Sequence, residues 1–505
     1  MSDYVFKTTP FPHQKEIFLE RRDLVEDAIF WEMGTGKSKL AIDNVAYLFG
    51  LGKINGLLIV APPGVHRNWI VNEIPAHLPD DIHYDAAVWQ AAAKKRKRHS
   101  EAIERACYSK GLGILAMNYE AFTTKDGRDT AWKFLKNRKT FHLLDESTRI
   151  KTPTAKRTKS IIASGEHSTI RRILTGSPIS NGPFDAYSQF RFLNQKFWKK
   201  FSLDNYTVFK TFFGVWEKKF LSERTFLQCV GFQNLDDLQK IIVANSTRVL
   251  KADVLPNLPD KLYRKCYVEM SPKQDKVYKQ VRDEAVSFME TGEMIDATLA
   301  IVKLLRLQQV LCGYIPVEGG EEPVVQIDPS NNPRVDALMG MIEEAGDQKI
   351  VVWAYFQLDV ELIAERLKKE GISHVLYYGK TSNRNRATAL DKFTGNRPIF
   401  LDGRVVGKEA VPKEEQAQII VMSPSTGAEG LTLVESCLSL IFSCGFKLGE
   451  RLQLEARQDR IGQENSVLYV DFVVPDTVDE KKIDSLRAKR EIAGYITADE
   501  MGDWI

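Results

Sequence analysis

The 505-residue sequence has no run of eighteen apolar residues, and its opening stretch, MSDYVFKTTPFPHQ, carries no apolar h-region. Neither membrane insertion nor secretion is therefore expected. Cysteine is scarce, with six residues and no CxxC pair. That excludes a zinc ribbon or a disulfide framework and leaves scattered thiols of a reducing compartment. Charge of one sign is also missing: 70 Lys+Arg against 67 Asp+Glu gives +3. Any binding of nucleic acid then has to come from local basic patches rather than a global field. There is no fixed-period repeat and no low-complexity tract. What is present is an ordinary globular composition, 43% hydrophobic and 27% charged, in a chain long enough for about two to four domains.

Short apolar runs, each followed by a turn and a helix-like stretch, occur in two series. The first comprises Ala28–Trp31, Leu57–Ala61, Ile114–Met117, Phe141–Leu144 and Arg172–Leu174. The second comprises Ile350–Ala354, Val375–Tyr378, Ile419–Met422, Leu440–Phe442 and Val467–Val470. Runs of this length, apolar on both faces, suit buried strands of parallel sheets, and two separated series imply two α/β lobes. Between them, residues 181–220 hold thirteen aromatics. Mixed with lysine, they could stack nucleic-acid bases. Spacings such as 184/187 and 209/212/213/216 fit the core of a small helical subdomain, which is the favoured reading. Leu299–Leu311 reads as a buried helix, 316–334 as a linker, and the Asp402-Gly403 pair within 399–406 as a hairpin turn.

Ala28–Trp31 runs directly into Glu32-Met33-Gly34-Thr35-Gly36-Lys37-Ser38 and then a helical pattern. Strand, glycine loop, Lys-Ser and helix is the context of a phosphate-binding loop, with Trp31 standing where the strict pattern has its first glycine. Gly34, Thr35 and Gly36 would turn backbone N–H groups toward phosphate oxygens. Lys37 would neutralise the β- and γ-phosphates, and the Ser38 hydroxyl would meet Mg²⁺. Asp145-Glu146 closes the run Phe141–Leu144. Phosphoryl chemistry needs one carboxylate for hydrated Mg²⁺ and one base for the attacking water, roles that suit Asp145 and Glu146 in turn. Far downstream, Arg457 and Arg460 stand three apart, expected on one helix face, and could supply transition-state cations.

In order and spacing these residues resemble superfamily 2 helicases, and within them the SNF2-like (Swi2/Snf2) DNA translocases, over about residues 10–480. Phe11-Pro12-His13-Gln14 is similar to the Q motif, Glu32–Ser38 to motif I, and Ile59–Trp69 with Glu73-Ile74 to motif Ia. Met117-Asn118-Tyr119-Glu120 stands at motif Ib, with Met117 as a departure. Asp145–Lys151 resembles motif II, with Ser147-Thr148 where the family has Ala-His and Thr152 where it has Asn. Leu174–Asn181 (LTGSPISN) is very close to motif III. Lys349–Phe356 resembles motif IV, and Tyr377-Tyr378-Gly379 with Arg386 and Phe393 resembles the next block. Ser425–Leu433 is similar to motif V with Thr432 in place of Asn, and Gln453–Gln463 to motif VI with Leu454 as a departure.

The resemblance implies an α/β fold of two tandem RecA-like lobes, parallel sheets flanked by helices, with ATP and Mg²⁺ as ligands and sequence-independent duplex or branched DNA as partner. The implied division is lobe one at 1–180, an aromatic-rich helical protrusion at 181–262, a helical segment and linker at 263–334, lobe two at 335–482 and a C-terminal helix or tail at 483–505. By carry-over, Gln14 would read adenine, Gly430 and Glu429 would lie near the nucleotide, and Thr175 and Ser177 would couple γ-phosphate loss to the DNA face. Pro63, Gly64, Asn118, Tyr119, Gly379, Ser425 and Thr426 would lie along the strand. Two basic stretches are candidate DNA contacts: Lys94, Lys95 and Arg96 with Lys97 and Arg98, and residues 149–172 with seven cations. The alternative for the first is a solvated helix end or a nuclear-import tag. The expectation is a DNA-dependent ATPase that moves on or remodels DNA as a monomer, a minimal stand-alone motor of prokaryotic or phage type. It would work in a bacterial or phage-infected host cytoplasm, or the nucleus if eukaryotic, with replication or repair proteins as candidate associates. Two other readings stay open: a nucleotide-gated DNA scaffold without turnover, and a strand-separating helicase on single-stranded DNA or RNA.

Overall fold

The computed structural model describes residues 4–499 apart from 222–223, 291–296, 317–323, 329–330, 402–403 and 428–430. The chain divides into two compact units. The first comprises Met1–Val215, Gly231–Asn257 and Glu491–Met501; the second comprises Trp216–Val230, Leu258–Arg490 and Gly502–Ile505.

The first unit is built on seven parallel strands: β1 (Glu26–Trp31), β2 (Gly56–Ala61), β3 (Tyr84–Val88), β4 (Leu112–Asn118), β5 (Thr140–Asp145), β6 (Ile170–Leu174) and β7 (Ser246–Val249). Their order across the sheet is β3-β4-β2-β5-β6-β1-β7. Successive residues point to opposite faces, so each strand feeds two cores. Leu57, Ile59, Ile114, Ala116, Phe141 and Leu143 face one core, shared with the helix Lys37–Gly50. Leu58, Val60, Leu115, Met117 and Leu144 face the other.

That second core corrects the expected division at residue 180. Tyr187, Phe190, Phe192, Trp198, Phe209 and Phe213 are buried in the same cluster as the β-sheet side chains Phe30, Val60 and Met117. Up to Phe213 the aromatic segment is thus one cover of the sheet, because a parallel sheet leaves a large apolar face that short aromatic helices can bury. The favoured aromatic-core reading accounts for these rings: the Trp198 indole N–H donates to the Tyr187 carbonyl at 2.9 Å. Two strands escape the apolar-run criterion for a visible reason. Both lie at sheet edges, β3 reads Tyr-Asp-Ala-Ala-Val and β7 reads Ser-Thr-Arg-Val.

The second unit carries six parallel strands: β8 (Lys261–Tyr267), β9 (Ile350–Trp353), β10 (His374–Tyr377), β11 (Ile419–Met422), β12 (Leu438–Ile441) and β13 (Val467–Val473). Their order is β8-β13-β12-β9-β11-β10. The edge strand β8 opens the stretch 263–334, where a helical segment and linker were expected; its alternating Lys-Leu-Tyr-Arg-Lys-Cys-Tyr composition suits an edge with one wet side. The linker reading of 316–334 also changes, since Val324–Gln326 pairs antiparallel with Tyr314–Pro316 and a helix starts at Pro333. The helix Ala297–Leu311 forms as expected, with Leu307, Val310 and Leu311 buried. Strands Asn396–Leu401 and Arg404–Ala410 pair antiparallel around the expected hairpin turn, whose Asp402-Gly403 lies outside the described residues. The helix Val478–Thr497 starts before the expected boundary at 483. None of the six cysteines forms a disulfide. Among the described residues no helix is long and apolar enough to cross a membrane.

Candidate active site

Because every strand of the first sheet runs the same way, the chain leaves β1, β2, β4, β5 and β6 along one edge, where ligands of open α/β sheets bind. Trp31, Asn118 and Asp145 end three of those strands.

The loop after β1 closes over two glycines with positive φ, Gly34 and Gly36, both at +89°. At that φ a side chain on Gly36 would be strained, and its Cβ would sit 1.8 Å from Gln14 Nε2, so Gln14 would also have to move. The helix then begins at Lys37, putting its N-terminal N–H groups and Ser38 at the loop. Lys37 Nζ donates to the carbonyls of Trp31 at 2.8 Å and Glu32 at 3.1 Å. Trp31, the departure from the strict loop pattern, is fully buried, and its indole N–H donates to Thr247 Oγ1 of β7 at 2.9 Å. The edge strand thus absorbs the larger side chain. Gln14 is buried; its Nε2 donates to the Thr35 and Gly36 carbonyls at 3.4 Å each, and its Oε1 accepts from Phe11 N at 2.9 Å. His13 Nε2 donates to the Thr35 carbonyl at 3.0 Å.

Across the edge, Asp145 Oδ2 accepts the Trp69 indole N–H at 2.8 Å, and the Asp145 carbonyl accepts the Tyr119 hydroxyl at 2.8 Å. Glu146 adopts the left-handed region at φ 54°, an uncommon state for a residue with a side chain. Its Oε2 accepts the Thr175 hydroxyl at 3.0 Å, and Ser177 N donates to Thr175 Oγ1 at 3.2 Å. Burial lowers the Lys37 ammonium to about 8, while the Glu146 and Asp145 carboxylates pull it back up. Burial first, and the Glu146 charge second, raise Asp145 well above the ordinary aspartate range. Lys37, Asp145 and Glu146 therefore share one field.

The motif II departure has a packing explanation. Ser147 is fully buried, and its hydroxyl donates to Gln189 Oε1 at 2.7 Å, tying the acidic turn to the helix Ala186–Leu193.

Several expected DNA-facing residues are exposed or half-buried. Pro63 and Gly64 lie exposed just beyond β2. Asn118 is half-buried, with Oδ1 accepting from Ala121 N at 3.0 Å. Lys94, Lys95 and Arg96 are exposed before the helix Lys97–Tyr108, with Lys94 Nζ 2.6 Å from Asp126. Two expectations need correction. Tyr119 is fully buried against Asp145, so its hydroxyl steadies the acidic strand instead of meeting a nucleic-acid strand. Arg171 and Arg172 drop out of the basic stretch. Arg172 is buried on the carbonyls of Leu24 and Arg171, and Arg171 pairs with Glu26 at 2.6 Å. Trp69 is the contributor that sequence reasoning did not single out; it lies inside the Ile59–Trp69 match, but no spacing rule marks its indole as a partner of Asp145.

In the second unit the arginine pair also departs from expectation. The helix Leu448–Glu455 ends before either arginine, and both sit in the following turns. The helix gives way where Gln458 turns inward, fully buried, to donate to the Ser436 carbonyl at 3.2 Å. Arg457 Nη1 and Arg460 Nη1 converge on the Leu431 carbonyl at 3.2 and 2.7 Å, and Arg460 also donates to Thr432 Oγ1 at 2.8 Å. Gly379 follows β10, its carbonyl accepting from Arg386 Nη2 at 3.4 Å. Ser425 is exposed and Thr426 half-buried after β11, both near Ser423 Oγ. Glu429 and Gly430 lie outside the described residues.

Comparison with known proteins decides the family. The model of the SNF2-related domain matches residues 24–313, more than half of the chain. This chain belongs to the SNF2-related family. An SNF2-family relative from Caenorhabditis elegans, a SWI/SNF-related matrix-associated actin-dependent regulator of chromatin subfamily A-like protein 1 homolog, is 24% identical over 96% of this chain and 62% of its own length. A Mycoplasma genitalium protein named uncharacterized ATP-dependent helicase MG018 is 23% identical over 91% of this chain and 39% of its own length. The chain thus spans less than two thirds of each of these relatives. The solved Sulfolobus solfataricus SWI2/SNF2 ATPase core in complex with dsDNA aligns over 99% of this chain and 95% of that chain, at 22% identity and a TM-score of 0.40.

Proposed function

We propose that this SNF2-family chain hydrolyses ATP with Mg²⁺ and uses the energy to move on duplex DNA without reading its sequence. The observation that carries the reading is the shared site at the strand edge: Lys37 in the field of Asp145 and Glu146, with Glu146 held by Thr175. Gly34 and Gly36 open the loop for phosphate oxygens, and Lys37 would exchange its two carbonyl acceptors for phosphate. Glu146, fixed by the Thr175 hydroxyl, would orient the attacking water and take its proton.

The residues present fit a magnesium ion that keeps phosphate and water ligands. Among the described residues no group of three or more His, Cys, Asp or Glu could hold a metal alone. Asp145, raised by burial and by Glu146, is a carboxylate that a divalent cation would return to its charged form. Ser38 and Asp145 would hold the ion, which would neutralise charge developing on the phosphates.

Thr175 links the site to Ser177, which suits coupling of γ-phosphate loss to a DNA face. Pro63, Gly64 and Asn118 of the first unit, and Gly379, Ser425 and Thr426 of the second, would each meet the DNA backbone, with 94–98 as a further phosphate contact. Arg457 and Arg460 would act as transition-state cations. Forked or branched DNA is the finer expectation within this reading. The test is ATP turnover measured in parallel with no nucleic acid, linear duplex, forked duplex, single-stranded DNA and RNA. Stimulation by duplex and forked DNA above single strands and RNA is expected. No turnover on any of them would favour the scaffold reading, and greatest stimulation by single strands or RNA the strand-separating one.

A further inference from the structure

One charged pair beside the phosphate loop lies outside every motif recognised in the sequence. Arg248, on the edge strand β7, is the register partner of Phe30 on β1. Its Nη1 donates to the Phe30 carbonyl, one residue before Trp31, and to the Gly176 carbonyl at 3.0 Å. The other edge of the same guanidinium meets Asp499: Nε donates to Oδ1 at 2.8 Å and Nη2 to Oδ2 at 2.6 Å. A planar fork that satisfies a carboxylate on one edge and two backbone carbonyls on the other has its orientation fixed by the carboxylate.

The two carbonyls are not arbitrary. Gly176 packs straight onto the phosphate loop, where an added Cβ would sit 3.1 Å from Met33 Cγ and 3.4 Å from the Trp31 carbonyl. Trp31 O is also an acceptor for Lys37. The neighbour of Gly176, Thr175, holds the Glu146 carboxylate. The exit of β7 grips the loop from the same side: Glu32 N donates to the Val249 carbonyl and Lys251 N to Glu32 Oε2, both at 2.8 Å. The positive charge of Arg248 also acts on Lys37.

Asp499 is brought there by a docked segment, residues 491–499, that belongs to the first unit although it is separated in sequence from the rest of it. Ile496 is fully buried in the aromatic core, and the Tyr495 hydroxyl donates to Asp236.

We infer that Asp499 is a positioning residue for the phosphate site. By clamping Arg248, the docked segment sets the Thr175–Gly176 turn against the phosphate loop and so fixes Glu146 for hydrolysis. Release of the segment would slow the chemical step while leaving nucleotide affinity nearly unchanged. The inference rests on the proposed ATP hydrolysis for its kinetic readout, and its structural readout is independent of it.

The experiment compares the full chain with Asp499→Asn, Asp499→Glu and Arg248→Lys. Kinetics of ATP turnover are measured well below each melting temperature, alongside amide hydrogen exchange at 174–178 and 33–36. Loss of a charge-assisted contact predicts a fall in kcat of about tenfold or more for Asp499→Asn, with KM for ATP within about twofold. Asp499→Glu should recover most of the rate, and exchange in both segments should quicken in Asp499→Asn. A lowered melting temperature with unchanged kcat and unchanged exchange would overturn the inference, as would equal loss in Asp499→Glu. If the wild-type chain shows no turnover under any condition, the ATPase reading fails. Faster exchange in Asp499→Asn would then still uphold the clamp, and unchanged exchange would refute it.

Discussion

Two buried clusters of charge in this molecule are handled in opposite ways. In the second unit, Arg451 is about 1% exposed and meets Glu455 at 2.7 Å and both oxygens of Asp471 at 2.6 and 2.8 Å. Glu455 also accepts the Tyr263 hydroxyl at 2.8 Å. Burial pushes the Glu455 carboxyl up, yet Arg451 and Lys261 outweigh it and hold it below its ordinary range. Burial weighs against the Arg451 charge too, and its two carboxylates overcome it. In the first unit the balance fails. Asp145 and Glu146 repel each other, Lys37 is spent on two neutral carbonyls, and burial moves both Asp145 and Lys37 toward their uncharged forms. The contrast separates scaffold from site: a network that completes its own charges holds a fold together, whereas one left unbalanced suits an incoming polyanion and its cation.

The sharpest way to break that comparison is to remove members of the unbalanced set. Glu146→Gln and Lys37→Ala should reduce ATP turnover to background, with Glu146→Gln still binding ATP in a fluorescence assay. Arg460→Ala should cost about 10³–10⁵ in rate if it acts as a finger; a loss under about tenfold would assign it to shaping the turn at Leu431. In the balanced set the damage should fall on folding. Arg451→Leu strands Glu455 and Asp471 in the interior and should lower stability by about 3–5 kcal/mol, read from the urea midpoint. A change below about 1 kcal/mol would show that the cluster relaxes or hydrates.

Smaller effects sharpen the same contrast. Replacing residues 94–98 with alanine should flatten the salt dependence of DNA binding by about 4 to 5 log units per log unit of salt if each cation meets a phosphate. An unchanged slope would make the run a solvated helix start. Asp145 holds its proton more tightly folded than unfolded, because burial and Glu146 raise it. Without Mg²⁺ and nucleotide, the contribution of this group to stability should therefore fall as pH climbs from the ordinary aspartate value through the raised one. Asp145→Asn should remove that part of the slope of melting temperature against pH, and identical slopes would mean that the carboxylate is already charged.

Much of this was legible in the chain itself. Ten of the thirteen strands described in the two parallel sheets announce themselves as apolar runs, because a parallel strand buried on both faces needs no polar alternation. The glycines of the phosphate loop, Lys37, and the acidic pair are legible because local backbone demands and chemistry fall on adjacent residues. The strands β3, β7 and β8 were not legible, since these edge strands are of mixed polarity and only a neighbour makes them strands, whereas the fourth edge strand, β10, carries an apolar run of its own. The same holds for Arg172 and Tyr119, whose residue types suggest a surface role and whose burial only packing reveals, and for half-buried Arg171, whose pairing with Glu26 only packing reveals.

Residue order, then, determined the two α/β units and the chemical kinds gathered at the phosphate loop and the acidic strand end, because those features are written within a few consecutive positions. The tertiary structure alone decided which partners those side chains take: Trp69 on Asp145, Thr175 on Glu146, and Asp499 reaching Arg248 across 251 positions of sequence. Hydrogen bonds and fields act over a few ångströms of space, and the distance along the chain between two residues says nothing of that separation until the sheet has formed.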